Sequence, residues 1–273
     1  MLEFLQQYFP EVGRETWLAR MQKGEVVDAA GLHIMPEHTY RPGSQIYYYR
    51  ELETELSVPF AEHVLYQDEH LLVVDKPHFL PVTPSGSYLH ETLLVRLKRK
   101  LGLEHLTPMH RLDRETAGVM LFSSNPASRG SYQSLFHKRE MHKVYEALAA
   151  TRPDLQFPLT YRSRMVKGEP FFRMQEASGE PNAETRIEML EQRGNVARYL
   201  LRPVTGKKHQ LRVQLAALGI PIMNDRFYPV LLAESGDDFS RPLQLLARSI
   251  AFRDPYTGEA RYFASDRNLC ADL

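Results

Sequence analysis

Apolar positions along the chain fall mostly into short runs with the spacing of strands. Leu71–Asp75 and Gly118–Phe122 are near-continuous apolar stretches of the kind buried on both faces of a sheet, and His63–Tyr66 leads into the first across the turn Gln67-Asp68-Glu69-His70. Lys143–Ala149, Ala183–Leu190, Val196–Arg202 and Leu246–Phe252 read as further strands, and Asp254–Glu259 (DPYTGE) as a hairpin turn into Arg261–Phe263. Helical spacing is confined to a few places. Trp17, Leu18 and Met21 share a face of Arg14–Lys23, with Gly24 as its stop. Leu93, Leu94, Leu97 and Leu101 share a face of His90–Leu101, with Arg96, Lys98, Arg99 and Lys100 largely off it. Asn125-Pro126 opens a third helix that turns Tyr132, Leu135 and Phe136 inward, because proline fits the first helical position. Leu211, Leu215 and Leu218 mark a fourth over Lys207–Leu218, closed by Gly219. Strands outnumber helices and arrive in consecutive pairs. The pattern therefore predicts the α+β class, with a mixed, largely antiparallel central sheet and flanking helices.

The first 50 residues form a smaller unit by the same reading. After the Trp17 helix, Gly31, Pro36 and Pro42-Gly43 punctuate short extended pieces that end in Ile46–Tyr49. The polar stretch 51–61 reads as a linker, so residues 1–58 are assigned to a small domain with its linker and 59–273 to a large one.

Composition narrows the class. Hydrophobic residues at 43% and charged residues at 25% are the balance of a folded soluble protein, which removes disorder as the default. The longest apolar runs are too short to span a bilayer, and MLEFLQQYFPEVGRE has neither a basic n-region nor a long apolar core, so no membrane partner and no secretory signal are expected. The single cysteine, Cys270, permits no intrachain disulfide and suits a reducing, cytoplasmic setting. Glycine-rich phosphate loops, HExxH and Cys/His metal spacings are absent, so neither a cofactor nor a metal is expected.

Net charge is zero, but its distribution is uneven. Residues 1–58 hold five Lys/Arg against nine Asp/Glu, residues 96–143 hold ten against four, and residues 198–212 hold five against none. Basic charge is thus concentrated in two stretches of the large domain, where it is either a solvated face or a surface for a polyanion.

The segment His110–Ser123, HRLDRETAGVMLFS, carries the most chemistry. Asp113 sits between Arg111 and Arg114, just before an apolar strand. Neighbouring cations keep a carboxylate ionised, and an ionised carboxylate partly shielded from water is a nucleophile. Taken alone, an aspartate in an arginine-rich loop is more often a surface ion pair.

The surrounding motifs shift that balance. HRLDRETAGVMLF resembles the HRLDxxTSG element of the RluA-type pseudouridine synthases. Val74-Asp75-Lys76-Pro77 with Leu80-Pro81-Val82 resembles the family's first motif, and Lys143-Val144-Tyr145 its KxY motif. Thr205-Gly206-Lys207-Lys208-His209-Gln210-Leu211-Arg212-Val213 is similar to TGRxHQIRVH. Gly219-Ile220-Pro221-Ile222 with Asp225 and Tyr228 is similar to GxPIxGDxxY, and Leu246-Ala247 through Phe252-Asp254-Pro255 to the closing LHA…FxHP segment. These elements stand in family order over about residues 63–259. Ala117, Gln214 and Asn224 stand where Ser, His and Gly are usual, and Leu246-Ala247-Arg248 lacks the usual His.

The resemblance implies the pseudouridine synthase fold for the large domain and a cofactor-free RNA uridine isomerase, monomeric, with structured RNA as its partner. It implies Asp113 as the nucleophile or base, Arg212 as the cation that pairs with it, and Tyr145 as a ring packed on the target uracil and an aid in removing the C5 proton. It further implies substrate contacts from His110, Arg111, Leu112, Lys207, Lys208, His209, Gln210 and Leu211, with the Arg96–Lys100 cluster as candidate phosphate contacts. The carboxylate has three open routes: attack on the sugar carbon as in retaining glycosidases, addition to the pyrimidine, or proton abstraction toward a glycal. RETWLARMQKGEVVDAAGLHI resembles an S-four-type RNA-binding domain, with Asp28-Ala29-Ala30-Gly31 in place of the usual turn. For this acidic unit an RNA-binding and a purely structural role both stay open. The appended domain favours large-subunit ribosomal RNA over transfer RNA. Two other classes were weighed: a catalytically inactive RNA-binding or RNA-chaperone protein, and a carboxylate glycoside hydrolase that needs a second acid, for which Glu115 is nearest in sequence.

Overall fold

The computed structural model describes residues 1–49, 54–233 and 236–269; residues 51–53 of the expected linker, and Cys270, lie outside them. The chain divides into two compact units, Met1–Glu55 and Leu56–Leu273.

In the first unit, helices α1 (Leu2–Tyr8) and α2 (Arg14–Gln22) accompany a two-stranded antiparallel ribbon, β1 (Val26–Asp28) and β2 (Ile46–Tyr48). Leu2, Leu5, Trp17, Met21, Val26 and Ile34 are its buried core. The sequence reading missed α1, whose heptapeptide LEFLQQY buries only Leu2 and Leu5 and is too short to display a period. It also missed β1, three residues held by pairing with β2. Between them Asp28 accepts from the backbone N–H groups of Ala30 and Leu32, a turn that Gly31 completes at φ 80°.

The second unit is built on one large sheet from β3 (His63–Gln67), β4 (Leu71–Lys76), β5 (Thr107–Pro108), β6 (Ala117–Ser123), β7 (His142–Ala150), β8 (Leu159–Lys167), β9 (Met174–Ala177), β10 (Ala183–Arg193), β11 (Val196–Pro203), β12 (Leu245–Arg253) and β13 (Ala260–Ala264). Their order is β3-β4-β6-β12-β7-β11-β10-β8-β9, with β13 on β12 and β5 on β6. Three helices pack on it: α3 (Leu93–Leu101), α4 (Pro126–His137) and α5 (Gln210–Ala217). This is the mixed, largely antiparallel α+β architecture that the pattern predicted.

The predicted helix from His90 begins instead at Leu93. Thr92, extended at φ −131°, caps it by accepting from the Val95 N–H, and Gly102 ends it in the left-handed conformation. The polar hairpin β8–β9 went unread because only one face of β8 is buried and β9 has no buried residue.

One parallel pairing sits at the centre. β6 and β12 run side by side, Leu246 opposite Ala117 and Ala247 opposite Gly118. A Cβ on Gly118 would lie 2.2 Å from the Ala247 carbonyl oxygen, and its φ of 114° suits glycine alone, so this residue sets the close approach of the two strands. The loop that carries Asp113 enters the sheet immediately before this pairing.

Candidate active site

Four segments converge on one cavity of about 510 Å³: the loop before β6, the start of β7, the 204–209 connection, and α5. Asp113, Tyr145 and Arg212, separated by up to 99 residues, all line it. So do His110, Arg111, Leu112, Lys207, His209, Gln210 and Leu211, whereas Lys208 lines a neighbouring cavity.

Arg212 is 1% exposed, and its charge is met by three carboxylates. Nε and Nη2 donate to Asp225 at 2.7 Å each, a bidentate pair, while Nη1 donates to Asp113 Oδ2 at 3.4 Å and lies 3.6 Å from Glu115 Oε2. The guanidinium also lies over Phe227 and Tyr228, 4.9 and 5.5 Å from their ring centres. Asp225 is therefore the main clamp on Arg212. It accepts further bonds from the Phe227 and Tyr228 N–H groups at 2.8 and 3.2 Å. The sequence reading noted Asp225 within a motif but gave it no role.

Asp113 retains 14% side-chain exposure, opening to the cavity. Burial pushes its carboxyl up, but His209, Arg212 and Arg111 outweigh this and hold it below its ordinary value. Burial pushes His209 itself down to about 4, against the pull of Asp113, so in neutral solution it is uncharged and the two arginines supply the positive charge. The tautomer follows from its partners. The Met174 N–H donates to the Tyr228 hydroxyl at 2.8 Å, leaving that hydroxyl to donate to His209 Nδ1 at 2.8 Å. The ring proton then sits on Nε2, 3.8 Å from Asp113 Oδ1.

Tyr145 lies at the start of β7, opposite Leu201 of β11. Burial first, then the Asp113 charge, raise its phenol above the ordinary value. A tyrosine base needs the opposite shift, so at neutral pH this ring is a phenol with a flat apolar face rather than a phenolate.

Lys76 holds the Asp113 loop from below. Fully buried, its ammonium donates to the carbonyls of Pro77, Leu80 and Arg114 at 2.9, 2.9 and 3.0 Å. Burial lowers it to about 7, and Glu115 and Asp113 pull the other way. Arg114 points away from the cavity into a bidentate pair with Asp237 at 2.7 and 2.9 Å.

Several of the residues expected to touch substrate also hold the architecture together. His110 accepts from the Leu121 N–H at 3.1 Å through Nε2, points Nδ1 at the Arg111 carbonyl at 3.2 Å, and packs on Phe136. Gln210 accepts from Thr205 Oγ1 and the Lys207 N–H, and donates to the Glu184 carbonyl and to Thr185 Oγ1. Leu211 is buried in a core cluster with Leu215, Tyr199 and Leu245. Arg96, expected among phosphate contacts, turns inward instead: it donates to the Val58 and Phe60 carbonyls at 2.7 and 2.8 Å and pairs with Glu91 and Glu62. Arg111 and Lys207 are exposed, and neither side chain has a hydrogen bond or ion pair to a described residue.

The departures from the family pattern also have local reasons. Asn224 adopts φ 61°, a conformation asparagine tolerates better than most side chains, so it can stand where glycine is usual. Gln214 is buried, accepting from Thr185 Oγ1 at 2.6 Å and donating to Ser163 Oγ at 3.2 Å. Arg248 pairs with Glu146 at 2.8 and 3.1 Å and donates to the Ser265 and Arg267 carbonyls. Glu115, the candidate second acid of a glycosidase, is ion-paired to Arg114 at 3.1 Å and lies 3.6 Å from Arg212.

No group of His, Cys, Asp or Glu among the described residues could hold a metal ion. No helix among them is long and apolar enough to cross a membrane.

Comparison with known proteins agrees with this architecture. Residues 70–217 match the family model described as RNA pseudouridylate synthase. The chain is 33% identical over 204 residues to the dual-specificity RNA pseudouridine synthase RluA of Haemophilus influenzae, covering 73% of this chain and 90% of that one. It is 28% identical over 234 residues to an uncharacterized RNA pseudouridine synthase of Synechocystis, covering 84% and 79% of the two. Among solved structures, human RNA pseudouridylate synthase domain containing 4 superposes with a TM-score of 0.58 at 26% identity, covering 76% of this chain and 88% of that one. On these grounds the chain belongs to the RNA pseudouridylate synthase family, whose members isomerise uridine in RNA.

Proposed function

We propose that Asp113 initiates conversion of uridine to pseudouridine in a structured RNA, with large-subunit ribosomal RNA the preferred substrate ahead of transfer RNA. The observation that carries the reading is the meeting of three side chains in one cavity: an ionised Asp113, a buried Arg212 3.4 Å from it, and the Tyr145 ring. Isomerisation breaks a nitrogen–carbon bond and makes a carbon–carbon bond with no change of oxidation state, so a nucleophile or base, a pocket and a means of turning the base suffice.

In this reading the uridine leaves its stack and enters the cavity, at an unstacking cost on the order of a few kcal/mol that new contacts offset. Tyr145 packs on the uracil as a phenol. Asp113 meets the sugar or the ring, with Arg212 fixing its orientation and Lys76 fixing its loop from the other side. Arg111 and Lys207 reach the RNA backbone from the rim. The protein acts as a monomer in the cytoplasm. The preference for ribosomal RNA rests on the likeness of the first unit to an S-four-type domain, and the Haemophilus relative's dual specificity keeps transfer RNA as the second substrate.

Pseudouridine mapping of cellular RNA with and without the gene tests the reading. Loss of one or a few defined pseudouridines, restored by the wild-type gene and not by Asp113→Asn, is expected. An unchanged map refutes it, and RNA binding without any pseudouridine formed favours the inactive RNA-binding class instead.

A further inference from the structure

The Asp113 loop is a partition. On its other side lies a second cavity, about 530 Å³, that shares His110, Arg111, Leu112, Asp113 and His209 with the first. Neither Tyr145 nor Arg212 lines it, so of the three residues assigned to the chemistry only Asp113 faces both sides. Its own walls mix apolar residues, Phe172 and Phe227 among them, with the polar Thr83, Ser85, Lys208, Arg114 and Glu115. The two rings suit a flat group. The rings of Phe172 and Phe227 lie 5.3 Å apart, tilted at 45°, and Arg212 takes one face of Phe227 at 4.9 Å. That leaves Phe172, a partly exposed ring on the connection between β8 and β9, as the stacking surface.

The second feature is charge. Lys208 and Arg111 both line this cavity, and neither side chain has a hydrogen bond or ion pair to a described residue. Burial lowers the Lys208 ammonium, the repulsion of Arg111 lowers it further and Asp113 pulls the other way, so the two cations are close enough to feel each other. Two neighbouring cations that no carboxylate holds in an ion pair attract an anion with two or more oxygens.

We infer that this second cavity receives the nucleotide next to the target uridine, its base stacked on Phe172 and its phosphate between Arg111 and Lys208. The inference rests on the function proposed above and extends it. The target uracil occupies the reactive side of the Asp113 loop, and the adjoining base is parked on the other. The strand therefore straddles the loop at Arg111–Asp113, and eversion involves two bases rather than one. Stacking on an aromatic ring accepts any base, so the site holds the strand without reading its sequence.

The test pairs an RNA change with a protein change. Synthetic hairpins carry the mapped uridine with its 5′ or its 3′ neighbour made abasic in turn, and kcat/KM for pseudouridine formation is measured for wild type, Phe172→Ala and Phe172→Tyr. Base–aromatic stacking predicts that one abasic position costs the wild type roughly tenfold. Phe172→Ala loses roughly as much on intact RNA and little more on the abasic RNA, and Phe172→Tyr, which keeps the ring, behaves as wild type. An abasic cost in Phe172→Ala equal to that in wild type, at both neighbours, overturns the assignment of the cavity while leaving the proposed function intact. A wild type that forms no pseudouridine on the intact hairpin overturns both.

Discussion

Three carboxylates share Arg212, and the removal of two of them, Asp225 and Asp113, is expected to have opposite consequences. Asp225 is 8% exposed, receives two guanidinium bonds at 2.7 Å and two backbone N–H groups, and makes no contact with the cavity. Asp225→Asn keeps the shape but removes the charge and turns an amide N–H₂ toward a guanidinium that also donates. Breaking a buried pair by removing one partner costs about 3–5 kcal/mol. With a urea m-value of roughly 2–3 kcal/mol/M for a unit of this size, the unfolding midpoint is expected to fall by about 1–2.5 M. Asp113→Asn removes one 3.4 Å bond from a group still open to the cavity, and the relief from burying its charge offsets much of that loss. Its midpoint is expected to stay within about 0.5 M of wild type, from a net change of at most ~1 kcal/mol. Activity runs the other way: turnover is abolished by Asp113→Asn, whereas Asp225→Asn retains measurable activity at low temperature, where the folded state persists. Equal losses of stability in the two variants, or full activity in Asp113→Asn, refute the division between clamp and reacting group.

Other outcomes follow from the same geometry. His78, His110 and His209 are each lowered to about 4, with burial the largest cause, so the unfolded chain binds more protons than the folded one between about 4 and the ordinary value of 6.5. Stability is therefore expected to fall as pH drops through that window, by on the order of 2 kcal/mol per histidine at pH 5, and identical urea midpoints at pH 7 and 5 contradict this. Because Asp113 is held below its ordinary value of 3.8, the acid limb of kcat/KM should reflect loss of the folded state rather than protonation of the carboxylate; a reversible limb near pH 6 in fully folded enzyme argues against an ionised Asp113. Gly118→Ala forces a Cβ to 2.2 Å from the Ala247 oxygen and is expected to prevent soluble folding; a wild-type melting temperature disproves the close-approach reading. Lys207→Ala should reduce the slope of log affinity against log salt for RNA by about 1, whereas Arg96→Ala should lower stability and leave that slope unchanged.

The chain itself displayed most of the architecture. Apolar runs such as Leu71–Val74 and Val119–Phe122 are legible because both faces of those strands are buried, and helix α3 because four leucines recur on one face. Asp113 stood out locally, between two arginines ahead of such a strand. What the sequence lacked was distance. Whether Arg212 served Asp113 or another carboxylate depended on the turn after α5 that swings Asp225 back onto the guanidinium, and no spacing encodes that turn. Arg96 and Lys207 look alike as letters in basic stretches, yet one ties the backbone of residues 58–60 and the other faces solvent, because burial is decided by neighbours remote in sequence. The phenol of Tyr145 was likewise neutral chemistry until tertiary packing buried it beside a negative charge and moved its proton affinity away from that of a base. Residue types and local periodicity are properties of the chain; desolvation and Coulomb interactions are properties of the folded volume, and they assign each side chain its work.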